Sequence, residues 1–207
     1  MGGEDGDVLI FVADTDHDLV HSVLGKFRCF IAERQGLINP DLFVPCWVTD
    51  FPLFELRDGQ LSSVHHPFTQ PSQDITGLSK EELLTVTSRG YDLVFNGEEV
   101  GGGSIRIHKK EVQDQIFTLL GLSKEEIEEK FGFFVKALSY GCPPHGGLAL
   151  GLDRLVSMIL KTSSIREVIA FPKNRVAYCP LTESPSEVST KQLDNLQLNL
   201  KPIPPKT

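Results

Sequence analysis

An α+β fold is predicted for this chain. Two pairs of strand-like stretches are each joined by a tight turn signal, and several amphipathic stripes repeat at helical spacing around them. The clearest pair lies within 91–108, YDLVFNGEEVGGGSIRIH. Residues 91–95 alternate as a half-buried strand does, and Asn96-Gly97 is a turn signal because both residues tolerate positive φ. Residues 104–108 alternate again, with Ile105 and Ile107 on one face and Ser104, Arg106 and His108 on the other. The second pair falls at 43–56 and 60–64, joined by Asp58-Gly59, with Pro45 and Pro52 interrupting its first member.

In chain order, residues 8–13 (VLIFVA) form an apolar run of strand length, and Thr15 is placed to cap the helix that follows. Leu19, Val23, Leu24, Phe27, Phe30 and Ile31 give that helix one apolar stripe, which Gly36 ends. A strand so near residue 1 has no partner of its own, so this unit is expected to be the end of a domain that begins elsewhere. Residues 36–41 (GLINPD) carry linker punctuation. Ser79-x-x-Glu82 is a capping box for a short helix within the polar stretch 69–88. Helices are expected over 111–120 and, behind the capping box Ser123-x-x-Glu126, over the stripe Ile127, Phe131, Phe134, Val135 and Leu138. Residues 148–152 read as a strand entering a helix with Leu152, Leu155, Val156, Ile159 and Leu160 inward. Residues 167–172 (EVIAFP) read as one more buried strand, and 201–207 (KPIPPKT) as a loose tail.

At 207 residues, with 40% hydrophobic and 23% charged side chains, the chain can bury one substantial core. No apolar run approaches the roughly 18 residues that span a bilayer. The opening MGGEDGD reads as neither a signal nor a transit peptide. Four scattered cysteines without a CxxC argue for reduced thiols rather than zinc, and a net charge of -8 argues against a general nucleic-acid coat.

Chemistry-bearing residues gather at three places. Glu99 and Arg106 flank three consecutive glycines, 101–103. Glycines admit close backbone approach and arginine grips a carboxylate or phosphate in a fork, so this suits a small charged ligand lying on a sheet. It also suits a plain glycine-rich hairpin with a solvated Glu and Arg. It is not a P-loop, because no Gly-Lys-Ser/Thr follows. His65 and His66, adjacent in extended chain, point to opposite faces, which predicts one packed and one solvated ring. At 151–154 (GLDR) a strand-to-helix join sets Arg154 at the sheet edge, within reach of a phosphate or a surface ion pair.

These blocks together resemble a known family. WVTDFPLFE (47–55), HHPFT (65–69), YDLVFNGEEVGGGSIRIH (91–108), KFGFFVKALSYGCPPHGGLALGLDRL (130–155) and SIREVIAFPK (164–173) look like the C-terminal part of the bacterial-type aspartyl-tRNA synthetase, which mitochondria also use. The likeness is collinear over about 6–196, and GLALGLDRL resembles the third signature of class II synthetases.

The resemblance implies an antiparallel sheet flanked by helices and the activation of aspartate by ATP, followed by transfer to tRNA. It implies that His65, His66 and Arg106 bind aspartate, and that Glu99, Gly151, Leu152, Asp153 and Arg154 bind ATP, with Mg2+ at Glu99. It divides the chain into the end of an insertion domain (1–38), the C-terminal part of the catalytic domain (39–200) and the tail (201–207). The partners implied are ATP, L-aspartate, the tRNA acceptor end and a second copy of the chain. The compartment implied is the cytoplasm of a bacterium or the mitochondrial matrix of a eukaryote. The first two class II signatures, one building the dimer interface and one clamping the α-phosphate, are not found. The chain therefore reads as a fragment of a ligase or, alternatively, as a truncated non-catalytic paralogue that binds a nucleotide, an amino acid or a partner.

Overall fold

The computed structural model describes residues 2–201, so the expected tail lies outside it apart from Lys201. The chain divides into two units, Met1–Val44 and Pro45–Thr207.

In the first unit Asp16 caps helix α1 (His17–Arg34), its carboxylate accepting from Asp18 N at 3.0 Å and Leu19 N at 3.1 Å. Thr15, expected in that role, donates to Asp14 Oδ1 at 3.5 Å instead. Gly36 follows the helix at φ +64°, the left-handed conformation that ends many helices. Residues 8–13 do not form the expected strand. A strand needs a neighbour for its N–H and C=O groups, and among the described residues none pairs with this run. Its side chains are correspondingly open, Val8 being 81% exposed.

The second unit holds an antiparallel sheet with helices against it. The stretch 43–56 divides into β1 (Pro45–Thr49) and β2 (Phe54–Arg57), because Asp50 turns the chain at φ +61° between them. β3 (Gln60–Ser63) returns along β2 over Asp58 and Gly59, both at positive φ as a tight hairpin requires. α2 (Lys80–Leu83) and α4 (Lys124–Ser139) carry the expected capping boxes, and α3 (Lys110–Leu119) lies between β5 (Glu98–Ile105) and α4. β4 (Gly90–Phe95) joins β5 over Asn96 and Gly97, at φ +50° and +85°. β6 (Gly146–Leu150), α5 (Leu152–Ile159), a 3-10 turn (Ile165–Glu167) and α6 (Thr190–Asn195) complete it.

Two expectations near the end of the chain need correction. Residues 167–172 are not a strand, since Phe171 at φ +57° takes the backbone out of the extended region. The apolar face expected on α5 is half-buried only at Leu155 and Val156, while Leu152 is 72% exposed.

The core clusters Leu53, Phe54, Ile75, Leu83, Val86, Ile107 and Ile116. It therefore joins β2, α2, α3 and the chain beyond β5, each large side chain contributing about 1.5–3 kcal/mol of burial. The main sheet has the order β1-β4-β5-β6, antiparallel throughout. Two features of β5 shape it. Between Leu93 and Val94 the register slips, so Val100 is an extra residue and β5 bulges there. Beyond the bulge come the three glycines. A Cβ at Gly103 would overlap the carbonyl oxygen of Gly147, and one at Gly101 would overlap that of Ala149 and lie 2.7 Å from Leu150 Cδ2. The glycines let β6 close on β5, and Tyr91 reaches across from β4 to donate to Gly147 O at 3.0 Å.

Gly103→Ala is expected to destabilise the unit by about 3 kcal/mol, the upper end for forcing a methyl group into packed structure. Gly147→Ala, on the facing strand, meets nothing within 4 Å and should change stability by no more than about 0.5 kcal/mol. Denaturant midpoints of the two variants provide the comparison.

Candidate functional site

Beyond Ile105 the chain continues extended, and two segments close on it. Ile107 N donates to Phe68 O and Gln70 N to Ile105 O, each at 2.9 Å, so 68–70 runs antiparallel to 105–107. On the other side Arg106 N donates to His145 O at 2.9 Å. This register sets the His66 ring against the Arg106 guanidinium, with Nη1 2.5 Å from Nε2 and 3.2 Å from Nδ1. The Phe68 N–H also points at Nδ1, at 3.2 Å. Burial, the Arg106 charge and the neighbouring His65 together hold the His66 pKa below its ordinary 6.5. The ring is therefore neutral beside a permanent cation. Phe51 packs edge-on against His65, ring centroids 4.8 Å apart.

At the other end of β5 the bulge does the positioning. The Val100 carbonyl accepts from Gly151 N at 2.7 Å, which ties β5 to the first turn of α5. Arg154, in the first turn of that helix, donates from Nη1 to Glu99 O at 2.5 Å and lies 4.0 Å from the Glu99 carboxylate. A bulge thus brings a carboxylate and a guanidinium, 55 residues apart in the chain, to one spot.

His65, His66, Glu99, Arg106, Gly151 and Arg154 all line one cleft of about 460 Å³ floored by Gly101, Gly102 and Gly103. Both histidines line it where the chain bends after β3, and they divide as expected into one solvated and one packed ring, His65 being exposed and His66 half-buried against Arg106. Leu152 and Asp153 are not among its lining residues. Two further groups belong to the cleft that the sequence reading passed over. Asp92 lies across from Gly102, its carboxylate occupying the space that a Cβ there would need. Ser104 is buried, and its Oγ makes no hydrogen bond among the described residues. The alternation of 91–95 does put Asp92 opposite Tyr91, Leu93 and Phe95, which is the signal that finds it. Along β5, Glu99 and Arg106 are roughly 20 Å apart. The cleft can hold an elongated ligand with an acid at the Arg106 end and phosphates at the Arg154 end.

Comparison with known proteins identifies the family. The family model of tRNA synthetases class II (D, K and N) matches residues 21–175. The Aspartate--tRNA(Asp/Asn) ligase 1 of Syntrophus aciditrophicus is 59% identical over 197 residues, covering 94% of this chain and 27% of the relative. The Aspartate--tRNA(Asp/Asn) ligase of Persephonella marina is 50% identical over 215 residues, covering 100% of this chain and 35% of the relative. The chain thus spans about a third or less of the length of these relatives. Among solved structures, the aspartyl tRNA synthetase from Entamoeba histolytica shares the fold at a TM-score of 0.51 and 20% identity, covering 81% of this chain and 28% of that one. The chain belongs to the class II tRNA synthetases of the D, K and N group.

Proposed function

We propose that this chain carries the acid- and nucleotide-binding part of an aspartate–tRNA ligase. The observation that carries the reading is a single glycine-floored cleft with Arg106 and neutral His66 at one end and Glu99 and Arg154 at the other. Arg106 pairs with the side-chain carboxylate of aspartate, while His65 and His66 contact the same amino acid. A neutral His66 leaves the positive charge on Arg106 alone, where its fork can take a carboxylate in two parallel hydrogen bonds.

ATP lies toward α5, along residues 151–154, with Leu152 and Asp153 contributing through the first turn of the helix and Arg154 meeting the terminal phosphate. The two carboxylates at the cleft, Glu99 and Asp92, fit a Mg2+ ion, which needs only one or two protein carboxylates when phosphate oxygens and water complete its shell. When bound, the ion neutralises phosphate charge. The α-carboxylate of aspartate attacks the α-phosphorus, a new oxygen–phosphorus bond forms, and pyrophosphate leaves with the electrons of the broken one. A ribose hydroxyl at the tRNA acceptor end then attacks the aspartyl carbonyl and AMP departs. No side chain of this cleft has to move a proton in the first step, so its contribution is alignment and charge stabilisation.

The relatives' names join Asp and Asn tRNAs, which supports both as acceptors. A second copy of the chain is the proposed partner, and the segment before residue 39 is assigned to the end of the family's insertion domain. The bacterial relatives favour the cytoplasm.

Within a polypeptide of the relatives' full length, Arg106→Leu should weaken aspartate use by about 2–5 kcal/mol, as expected for unpairing a charge-assisted contact. Unchanged aspartate-dependent exchange of pyrophosphate into ATP would remove Arg106 from the site. In the same assay Glu99→Ala and Arg154→Ala should each depress exchange itself, whereas loss confined to tRNA transfer would contradict their assignment to ATP.

A third expectation concerns pH. The pKa of His66 is lowered in the folded chain, so the folded state binds this proton less readily than the unfolded one. The stability it contributes is intact above about 6.5 and declines as pH falls through 6.5 toward the lower folded value. Denaturant midpoints measured from pH 8 to pH 5 should fall less steeply for His66→Gln than for the wild type. Parallel profiles would refute the assignment.

A further inference from the structure

Among the described residues Gln113 is the one large polar side chain in the fully buried interior, at 0% exposure, on the same face of α3 as Ile116 and Phe117. Its Nε2 donates to the Pro67 carbonyl at 2.8 Å, across 46 residues of sequence, and its buried Oε1 makes no hydrogen bond among the described residues. An apolar side chain would fill the position without leaving an oxygen unpaired, so packing does not explain an amide there. What the amide does is hold one particular carbonyl.

That carbonyl belongs to the residue next to His66. The neighbouring backbone groups are engaged by the strand, Phe68 O accepting from Ile107 N and Gln70 N donating to Ile105 O. Pro67 O has Gln113 as its donor. One helical turn further along α3, Phe117 holds the following side chain: the Phe68 ring packs edge-on at 6.3 Å from Phe117 and at 5.6 Å from Phe131. α3 thus grips two consecutive residues, one through a hydrogen bond and one through a ring. The grip lies directly after the pair of histidines, and His66 Nε2 sits 2.5 Å from Arg106 as a result of where that segment is held.

We infer that Gln113 is a positioning residue for the acid-binding end of the cleft: its buried amide fixes the Pro67 carbonyl and thereby sets His66 against Arg106. It touches neither ligand nor reacting atom, and it acts through the 65–69 segment. Its link to His66 stands on the hydrogen bonds alone. Its link to aspartate rests on the function proposed above.

The test uses two substitutions. Gln113→Met keeps length and apolar bulk but has no donor. Gln113→Asn keeps an amide that is one methylene short of Pro67. In this chain, the titration of His66 is followed by NMR of labelled histidine, with His66→Gln as the assignment control. The charged groups facing His66 are Arg106 from the end of β5 and His65 beside it, so freeing the segment should raise the His66 midpoint toward 6.5 in both variants. In the polypeptide of the relatives' full length, the KM for aspartate in pyrophosphate exchange should rise on the order of tenfold or more, with the KM for ATP unchanged. A shift at His66 in a protein that never uses aspartate would uphold the positioning role and defeat the aspartate reading. A folded variant with an unmoved His66 midpoint and an unmoved aspartate KM would overturn the inference. So would loss of folding in both variants, or an equal rise in both KM values, since either makes Gln113 a core residue and nothing more.

Discussion

The close approach of β6 to β5 is the constraint on which the rest of this unit depends. Ordinary side chains at Gly101 and Gly103 would push against main-chain oxygens of β6, and backbone cannot give way as a flexible side-chain tip can. Without that approach Tyr91 would lose its reach to Gly147, and β6 would be free to leave the sheet. The glycines serve two purposes at once. They close the strands together, and they leave the floor of the cleft without side chains except where Asp92 leans over Gly102.

The two ends of the cleft are built by different devices. At the Arg154 end a bulge turns Val100 O toward Gly151 N, and that hydrogen bond ties the strand-to-helix join to β5. At the Arg106 end the strand continues past its formal limit and collects the 68–70 segment, so that a neutral ring lies beside a guanidinium. Burial is the largest cause of the ring's neutrality, ahead of the Arg106 charge and the neighbouring His65. Core and cleft therefore meet along one stretch of chain: Ile107 is a core side chain, and its neighbour Arg106 lines the cleft.

Much of this was legible before any coordinates. Turn chemistry at Asp58-Gly59 and Asn96-Gly97, capping boxes at Ser79 and Ser123, and the helical stripes all act locally, and local rules found them. The runs at 8–13 and 167–172 misled because apolar strand-like composition says nothing about whether a neighbour is there to pair with. The bulge at Val100 left no trace in alternation, since an extra residue in a glycine-rich stretch looks like more of the same. Six of the eight candidate site residues share the cleft, yet Asp92 went unremarked, since one polar residue in an alternating strand is what a solvated face also shows. Gln113 was invisible for a related reason: a glutamine in a helical stripe reads as solvated until a carbonyl 46 residues away is shown to need it.

The central claim is that one glycine-floored cleft holds an acid at Arg106 and a nucleotide toward Arg154. A crystal structure of the chain with a non-hydrolysable aspartyl-adenylate analogue tests it most directly. The account predicts the analogue lying along Gly101 to Gly103, its side-chain carboxylate forked on Arg106 and its nucleotide portion toward Gly151 and Arg154. An analogue bound elsewhere, or one lying in the cleft with its carboxylate turned away from Arg106, would contradict it.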